Sequence, residues 1–197
     1  KLNKLHYKLS DGTDKQKIKA TKRTDKLGYT IESQKRGVAH FKHKDDKHDI
    51  ITIKGTNPHN TKDLLSDIHL AIGSHKSDKQ FKHRKNEIKK IYKSTDNDKY
   101  LTGHSLGASI VTDAMTSKSI RDNTKKATTF NAGYTPLFHS NVTKDLTKED
   151  KKDINKKLEN HHIKGDPISA FITDKSLGKT KTHEATHASP HSIDNFT

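Results

Sequence analysis

Apolar residues in this chain are sparse but bunched, and the bunches have two periods. Short runs with β-branched residues predict strands: Asp49 to Lys54, with Ile50-Ile51-Thr52-Ile53, is the strongest in the N-terminal half. Tyr29–Glu32 and Val38–Phe41 read as two strands joined through Gln34-Lys35-Arg36-Gly37, a hairpin with glycine in its turn. Tyr100–Thr102, Ala127–Phe130 and His161–Lys164 supply further strands. Between them the apolar spacing turns helical. Leu64, Ile68 and Ile72 share a face in a helix that Asn60 or Thr61 can cap and Gly73-Ser74 ends. Phe81, Ile88, Ile91 and Tyr92 line a helix over 78–94, and Leu106, Ile110, Val111, Ala114 and Met115 another. A highly charged helix with Leu146, Ile154 and Leu158 is expected over 143–159. The tail 176–197 reads as irregular chain or short strand, and no internal repeat is visible.

Strands alternating with helices imply βαβ units, and the early hairpin implies an antiparallel edge. The fold class is therefore α/β, a mixed and mostly parallel sheet flanked by helices. Residues 1–27 are Lys-rich, and Leu2, Leu5 and Leu9 form only a weak helical stripe. They are expected as a basic N-terminal arm, loose in part, ahead of one domain over 28–197.

Composition sharpens this picture in one respect. Only 27% of the 197 residues are hydrophobic and the formal charge is +15, so a small core carries a very polar surface. The only arginines are Arg23, Arg36, Arg84 and Arg121. Lysine is a hydrated point charge, so a Lys-dominated surface is either simply solvated or diffusely attracted to polyanions: anionic lipid, nucleic acid or acidic polymer. Cysteine is absent, which excludes a disulfide framework and a thiol nucleophile. No apolar run approaches the length of a membrane span and no signal peptide is visible, so the compartment stays open.

The chemistry centres on Gly103-His104-Ser105-Leu106-Gly107, a Gly-x-Ser-x-Gly pattern between a predicted strand and a predicted helix. That context is the one a nucleophile elbow requires. The serine must occupy a strained turn that lifts its hydroxyl clear of the sheet, and the glycines leave room for strand and helix to approach. The N–H of Leu106, at the helix start, points where an oxyanion would form.

This segment resembles the Gly-His-Ser-Leu-Gly-Gly core of the class 3 lipases, an α/β-hydrolase family, with Ala108 in place of the last glycine. The absence of a Pro-Arg pair after Phe130 makes it look closer to compact bacterial- or virus-like members. In that fold an acid and then a histidine follow the serine in chain order. Asp166 sits in Gly165-Asp166-Pro167, behind a predicted strand. On position alone it is as readily an ordinary turn aspartate. The segment Gly165–Ser169 resembles the family's acid-bearing one, which favours the catalytic role. For the base the tail offers His183, His187 and His191. His191, followed by Ile193 and Phe196, resembles the family's late histidine and is preferred, with His187 second. Ile53-Lys54-Gly55-Thr56 resembles the family's Arg-Gly-Thr segment, with Lys54 for arginine. The resemblance implies that Thr56 joins Leu106 as an oxyanion donor and that Asp67 is structural.

A competing pattern is His183-Glu184-Ala185-Thr186-His187, which matches His-Glu-x-x-His. A zinc site there needs both histidines on one helix face. Thr180, Thr182, Thr186 and Pro190 and the missing apolar stripe argue against a helix. No metal or cofactor is expected, and no obligate protein partner is evident.

The expectation is a serine hydrolase cleaving lipid or other carboxylic esters through Ser105, His191 and Asp166, a lipase or phospholipase acting at anionic lipid surfaces. The alternative is a catalytically weak hydrolase-like module that binds nucleic acid or membrane through its lysines.

Overall fold

The computed structural model describes residues 1–45, 47–55, 68, 72–73 and 79–196. Seven strands form one sheet in the sequential order β1 to β7: Tyr29–Lys35, Val38–His43, His48–Ile53, Asp98–His104, Thr124–Phe130, Leu158–Ile163 and Lys179–His183. β1, β2 and β3 pair antiparallel, whereas β3 through β7 run parallel. The expected mixed sheet with an antiparallel edge is thus present, and all five parallel strands deliver their C-terminal ends to one edge, where α/β sites form.

Period-two alternation divides the core. On β2, Val38 faces one hydrophobic cluster while Ala39 and Phe41 face a second. The larger cluster holds Ile51, Ile53, Leu101 and Ala127 from the strands. It is covered by α3 (Lys79–Ser94), α4 (Leu106–Thr116), the short α5 (Lys118–Arg121), α6 (Pro136–Thr143) and α7 (Lys148–Lys157). Phe81 and Phe138 fill it from α3 and α6. The helix expected over 60–72 lies outside the described residues, apart from helical Ile68 and Ile72, which are fully buried in this cluster.

The second cluster belongs to the N-terminus. Residues expected to be partly loose form α1 (Leu2–Asp11) and α2 (Asp14–Lys26). α1 buries Leu2, Leu5 and Leu9 against the sheet face carrying Ala39 and Phe41, and packs on β3 and β4. Thr13 starts α2 with a capping box, exchanging bonds with Gln16. α2 buries little beyond Ala20 and Thr24, so its sequence carries no stripe to read.

The single helix expected over 143–159 is two elements and part of a strand. Thr135 caps α6, with Pro136 in its first turn, and Thr147 with Asp150 forms a second capping box that starts α7. Leu158 and Glu159 leave the helix because they pair with Ala127 and Thr128 of β5. The tail contributes β7 and a 3-10 turn, Ile193–Phe196.

Candidate active site

β4 ends at His104 and α4 begins at Leu106, so Ser105 is the whole connection between strand and helix. Its φ of 58° lies in the left-handed region, a strained conformation for a side-chain-bearing residue. Two things hold it there. The Ser105 N–H donates to the Phe130 carbonyl of the neighbouring strand at 3.0 Å. The flanking glycines also allow an approach no side chain would permit. A Cβ on Gly103 would lie 2.4 Å from the Gly107 carbonyl oxygen, and one on Gly107 would lie 2.3 Å from that of Ile53.

Asp166 follows β6 in a turn whose N–H returns to the Ile163 carbonyl. Its carboxylate is buried. Oδ2 accepts from the Ser169 hydroxyl (2.6 Å) and N–H (3.2 Å), and Oδ1 accepts from the Ile168 N–H (3.3 Å). Burial works to raise the Asp166 pKa, but the hydrogen bond and charge of His191 and the bonds from Ser169 and Ile168 outweigh it, leaving the carboxyl below its ordinary value.

His191 closes the arrangement. Its Nδ1 lies 3.0 Å from Asp166 Oδ1 and its Nε2 lies 2.8 Å from Ser105 Oγ. A carboxylate only accepts, so Nδ1 carries the proton, and the Nε2 of a neutral ring is left to accept from the serine hydroxyl. The loop bearing His191 is fastened from several sides. Asn131, at the end of β5, donates to the Pro190 carbonyl while accepting from the Ile163 N–H. Asn195 donates to the Ser189, Pro190 and Ser192 carbonyls, and Phe196 packs on Phe130 with ring centroids 4.8 Å apart.

The structure therefore brings together Ser105, Asp166 and His191, three side chains drawn from β4–α4, the loop after β6 and the tail. His187 is exposed and its N–H bonds to Asn195. His183 lies in β7 with its ring stacked on His161. The His183–His187 segment is strand followed by irregular chain, so its two histidines share no helix face. Among the described residues no group of three or more His, Asp or Glu is arranged to hold a metal ion.

Leu106 is the first residue of α4, and its N–H comes before the helical bonds, which begin with Ala108 and Ser109 donating to the Ser105 carbonyl. Thr56 and Asp67 lie outside the described residues. A cavity of about 500 Å³ opens on the α1 side of the sheet, among Leu2, Ile50, Tyr100 and Phe130, and includes none of the three site residues.

The sequence reading missed Asn131, His104 and Tyr7. Asn131 had a usable signal, an amide at the C-terminal end of a parallel strand. His104 sits inside the motif but is buried, and desolvation first, then the nearby His191, hold its pKa down at about 3. Tyr7 had no signal at all, being 97 positions from its partner His104.

A mixed sheet whose central strand turns sharply through a strained serine into a helix defines a protein of the α/β-hydrolase type. The comparison with protein families then places it further. The model of the Tle-like phospholipase domain, a phospholipase-like family, matches residues 13–193, and the chain belongs to that family. Among solved structures it is similar to a lipase from Rhizopus microsporus var. chinensis, with 14% identity and a TM-score of 0.44 over 81% of this chain and 60% of that one. It is also similar to the Lip2 lipase from Yarrowia lipolytica, with 13% identity and a TM-score of 0.43 over 80% of this chain and 64% of that one. The chain thus spans less than two thirds of either lipase. No curated protein matches it.

Proposed function

We propose that this protein hydrolyses carboxylic ester bonds of lipids, as a phospholipase or lipase, through Ser105, His191 and Asp166. The observation that carries the proposal is the unbroken chain of short contacts from Ser105 Oγ through His191 to Asp166, with the serine on a strained turn. A serine hydroxyl is a poor nucleophile until a base removes its proton. Here His191 Nε2 takes that proton as Oγ attacks the ester carbonyl. Asp166 holds the ring in the Nδ1–H tautomer and stabilises the imidazolium that forms. The Leu106 N–H meets the oxyanion at the positive end of α4, with Thr56 as the second donor implied by the Gly55-Thr56 resemblance. His191 then gives its proton to the departing alcohol, and water, activated by the same ring, cleaves the acyl-enzyme.

The substrate surface proposed is anionic lipid. Two features support it: the formal charge of +15, and the exposed Leu137 and Phe171, which follow β5 and β6 in the chain beyond the C-terminal ends of those strands. Lysines attract an anionic headgroup layer and apolar side chains can enter it. The same charge favours one second reading, a weakly catalytic module bound to nucleic acid or membrane. Vesicle binding that ignored both salt and lipid charge would count against the anionic surface.

The decisive experiment is labelling with a fluorophosphonate followed by mass spectrometry, wild type beside Ser105→Ala. Stoichiometric modification of Ser105, absent from the variant, is the expected result. No labelling would refute the triad reading and leave the binding module in first place.

A further inference from the structure

α1 reaches the catalytic edge from the opposite face of the sheet, and its contacts there form a continuous chain. His104 Nε2 lies 2.9 Å from the His191 carbonyl oxygen, and His104 Nδ1 lies 3.0 Å from the Tyr7 hydroxyl. The Gly55 N–H lies 2.9 Å from the same hydroxyl.

Every proton in this chain is fixed by its ends. A carbonyl only accepts, so His104 carries its proton on Nε2 and donates it to His191. The ring is neutral, since burial keeps its pKa near 3. Its Nδ1 must therefore accept, and the donor is the Tyr7 O–H. The Tyr7 oxygen is then free to accept from Gly55. That hydroxyl stays protonated, because burial pushes its pKa well above the ordinary tyrosine value. All groups are satisfied in one arrangement only.

The chain joins three segments that the proposed mechanism needs in register. Gly55 lies just after β3, His104 is the residue before the nucleophile, and the His191 carbonyl belongs to the base itself. α1 is also fastened elsewhere. Asn3 donates to Thr102 at 2.8 Å, His6 meets Thr52 at 2.8 Å, and Lys4 pairs at 2.5 Å with Asp194, three residues beyond the base.

We infer that α1 is a clamp on the active site, and that Tyr7 and His104 are positioning residues holding the His191 backbone so that its ring meets Ser105. This inference rests on the Ser105–His191–Asp166 reading above. Neither residue touches the reacting atoms. Their effect passes through the His191 carbonyl, and misplacing a base by about 1 Å can cost a hundredfold in rate.

The test compares Tyr7→Phe with Tyr29→Phe in the full chain. Tyr29 also bonds a histidine, His48, at 2.7 Å, but His48 begins β3 at the opposite end of the parallel strands. Tyr7→Phe is expected to lower kcat about ten- to a hundredfold on a soluble ester with KM little changed, while Tyr29→Phe leaves both unchanged. Histidine-selective ¹⁵N NMR should show the Nε2–H tautomer at His104 in both the wild type and Tyr7→Phe, with the Nδ1 resonance displaced in the variant by the loss of its hydroxyl donor. Should that variant not fold, His104→Gln, which can still donate to the His191 carbonyl, is expected to outperform His104→Ala about tenfold. Failure of wild-type Ser105 to label with a fluorophosphonate would refute the triad reading and the clamp's catalytic role with it. A labelled wild type with Tyr7→Phe turnover within about twofold of it would overturn the clamp alone. Equal activity of His104→Gln and His104→Ala would overturn it too.

Discussion

Replacing Asp166 by asparagine changes one atom and should nearly abolish turnover. Asp166 receives four donors: the Ser169 hydroxyl and N–H on Oδ2, and the Ile168 N–H and His191 Nδ1–H on Oδ1. An asparagine can present oxygen to only one pair. With oxygen toward Ser169 it keeps the 2.6 Å and 3.2 Å bonds, and its NH₂ faces the more distant Ile168 N–H and His191. The reverse orientation sets NH₂ against the closer Ser169 N–H. The first is preferred, and there the NH₂ donates to Nδ1 and forces the imidazole proton onto Nε2. A protonated Nε2 donates to Ser105 and cannot accept its proton. A wrong tautomer with intact geometry costs about 10⁴ in kcat, or about 5 kcal/mol of transition-state stabilisation. The assay is hydrolysis of a short-chain ester beside the rate of fluorophosphonate labelling at Ser105, with a thermal melt to establish folding. Folded Asp166→Asn protein retaining kcat within about tenfold of wild type would refute Asp166 as the tautomer-setting acid.

Acid should weaken this protein earlier than its carboxylates alone would require. His6 and His104 are buried, and desolvation lowers both to a pKa of about 3, helped at His6 by the charges of Lys54 and Arg84. The unfolded chain takes up those protons near pH 6.5 while the folded one does not. Stability therefore falls as pH drops below about 6.5, by up to about 1.4 kcal/mol per pH unit for each histidine. Denaturant titrations from pH 7 to 5 should show that slope, and His6→Asn should remove its share of it; a flat profile would contradict the burial assignment. Gly107→Ala sets a methyl 2.3 Å from the Ile53 carbonyl oxygen, between rigid backbones, so a loss of about 2–4 kcal/mol is expected in the same titration, with slower labelling of Ser105. An alanine variant as stable and reactive as wild type would show that the close approach is dispensable.

Much of the fold can be read from the chain because its elements are locally self-consistent. Ile50–Ile53 is β-branched throughout and apolar but for Thr52, since β3 is covered on both faces and a strand buried in that way shows little alternation. The elbow was legible for a similar reason: only glycines fit the contacts at 103 and 107, so the backbone geometry is written into the residue types. Capping was harder. The Thr147–Asp150 box that divides α6 from α7 is a short polar signal inside a long charged stretch, and Leu158 left the helix for a pairing with β5 that no local pattern encodes.

By itself the sequence determined which residues are chemically competent and in what local frame each stands: a serine on a turn, an aspartate after a strand, histidines in a tail. Which of 15 histidines meets the serine was decided by packing. β6 and β7 lie side by side, Asn131 and Asn195 hold the loop at Pro190, and Phe196 closes on Phe130, so His191 is delivered to a serine 86 positions earlier. The N-terminal helices are the extreme case. Their apolar partners, Ala39 and Phe41, lie on the second face of a strand whose first face already fills the main core, and Tyr7 finds His104 only because α1 packs on the sheet. Local periodicity records which side of an element avoids water. It carries no information about which distant element will cover that side.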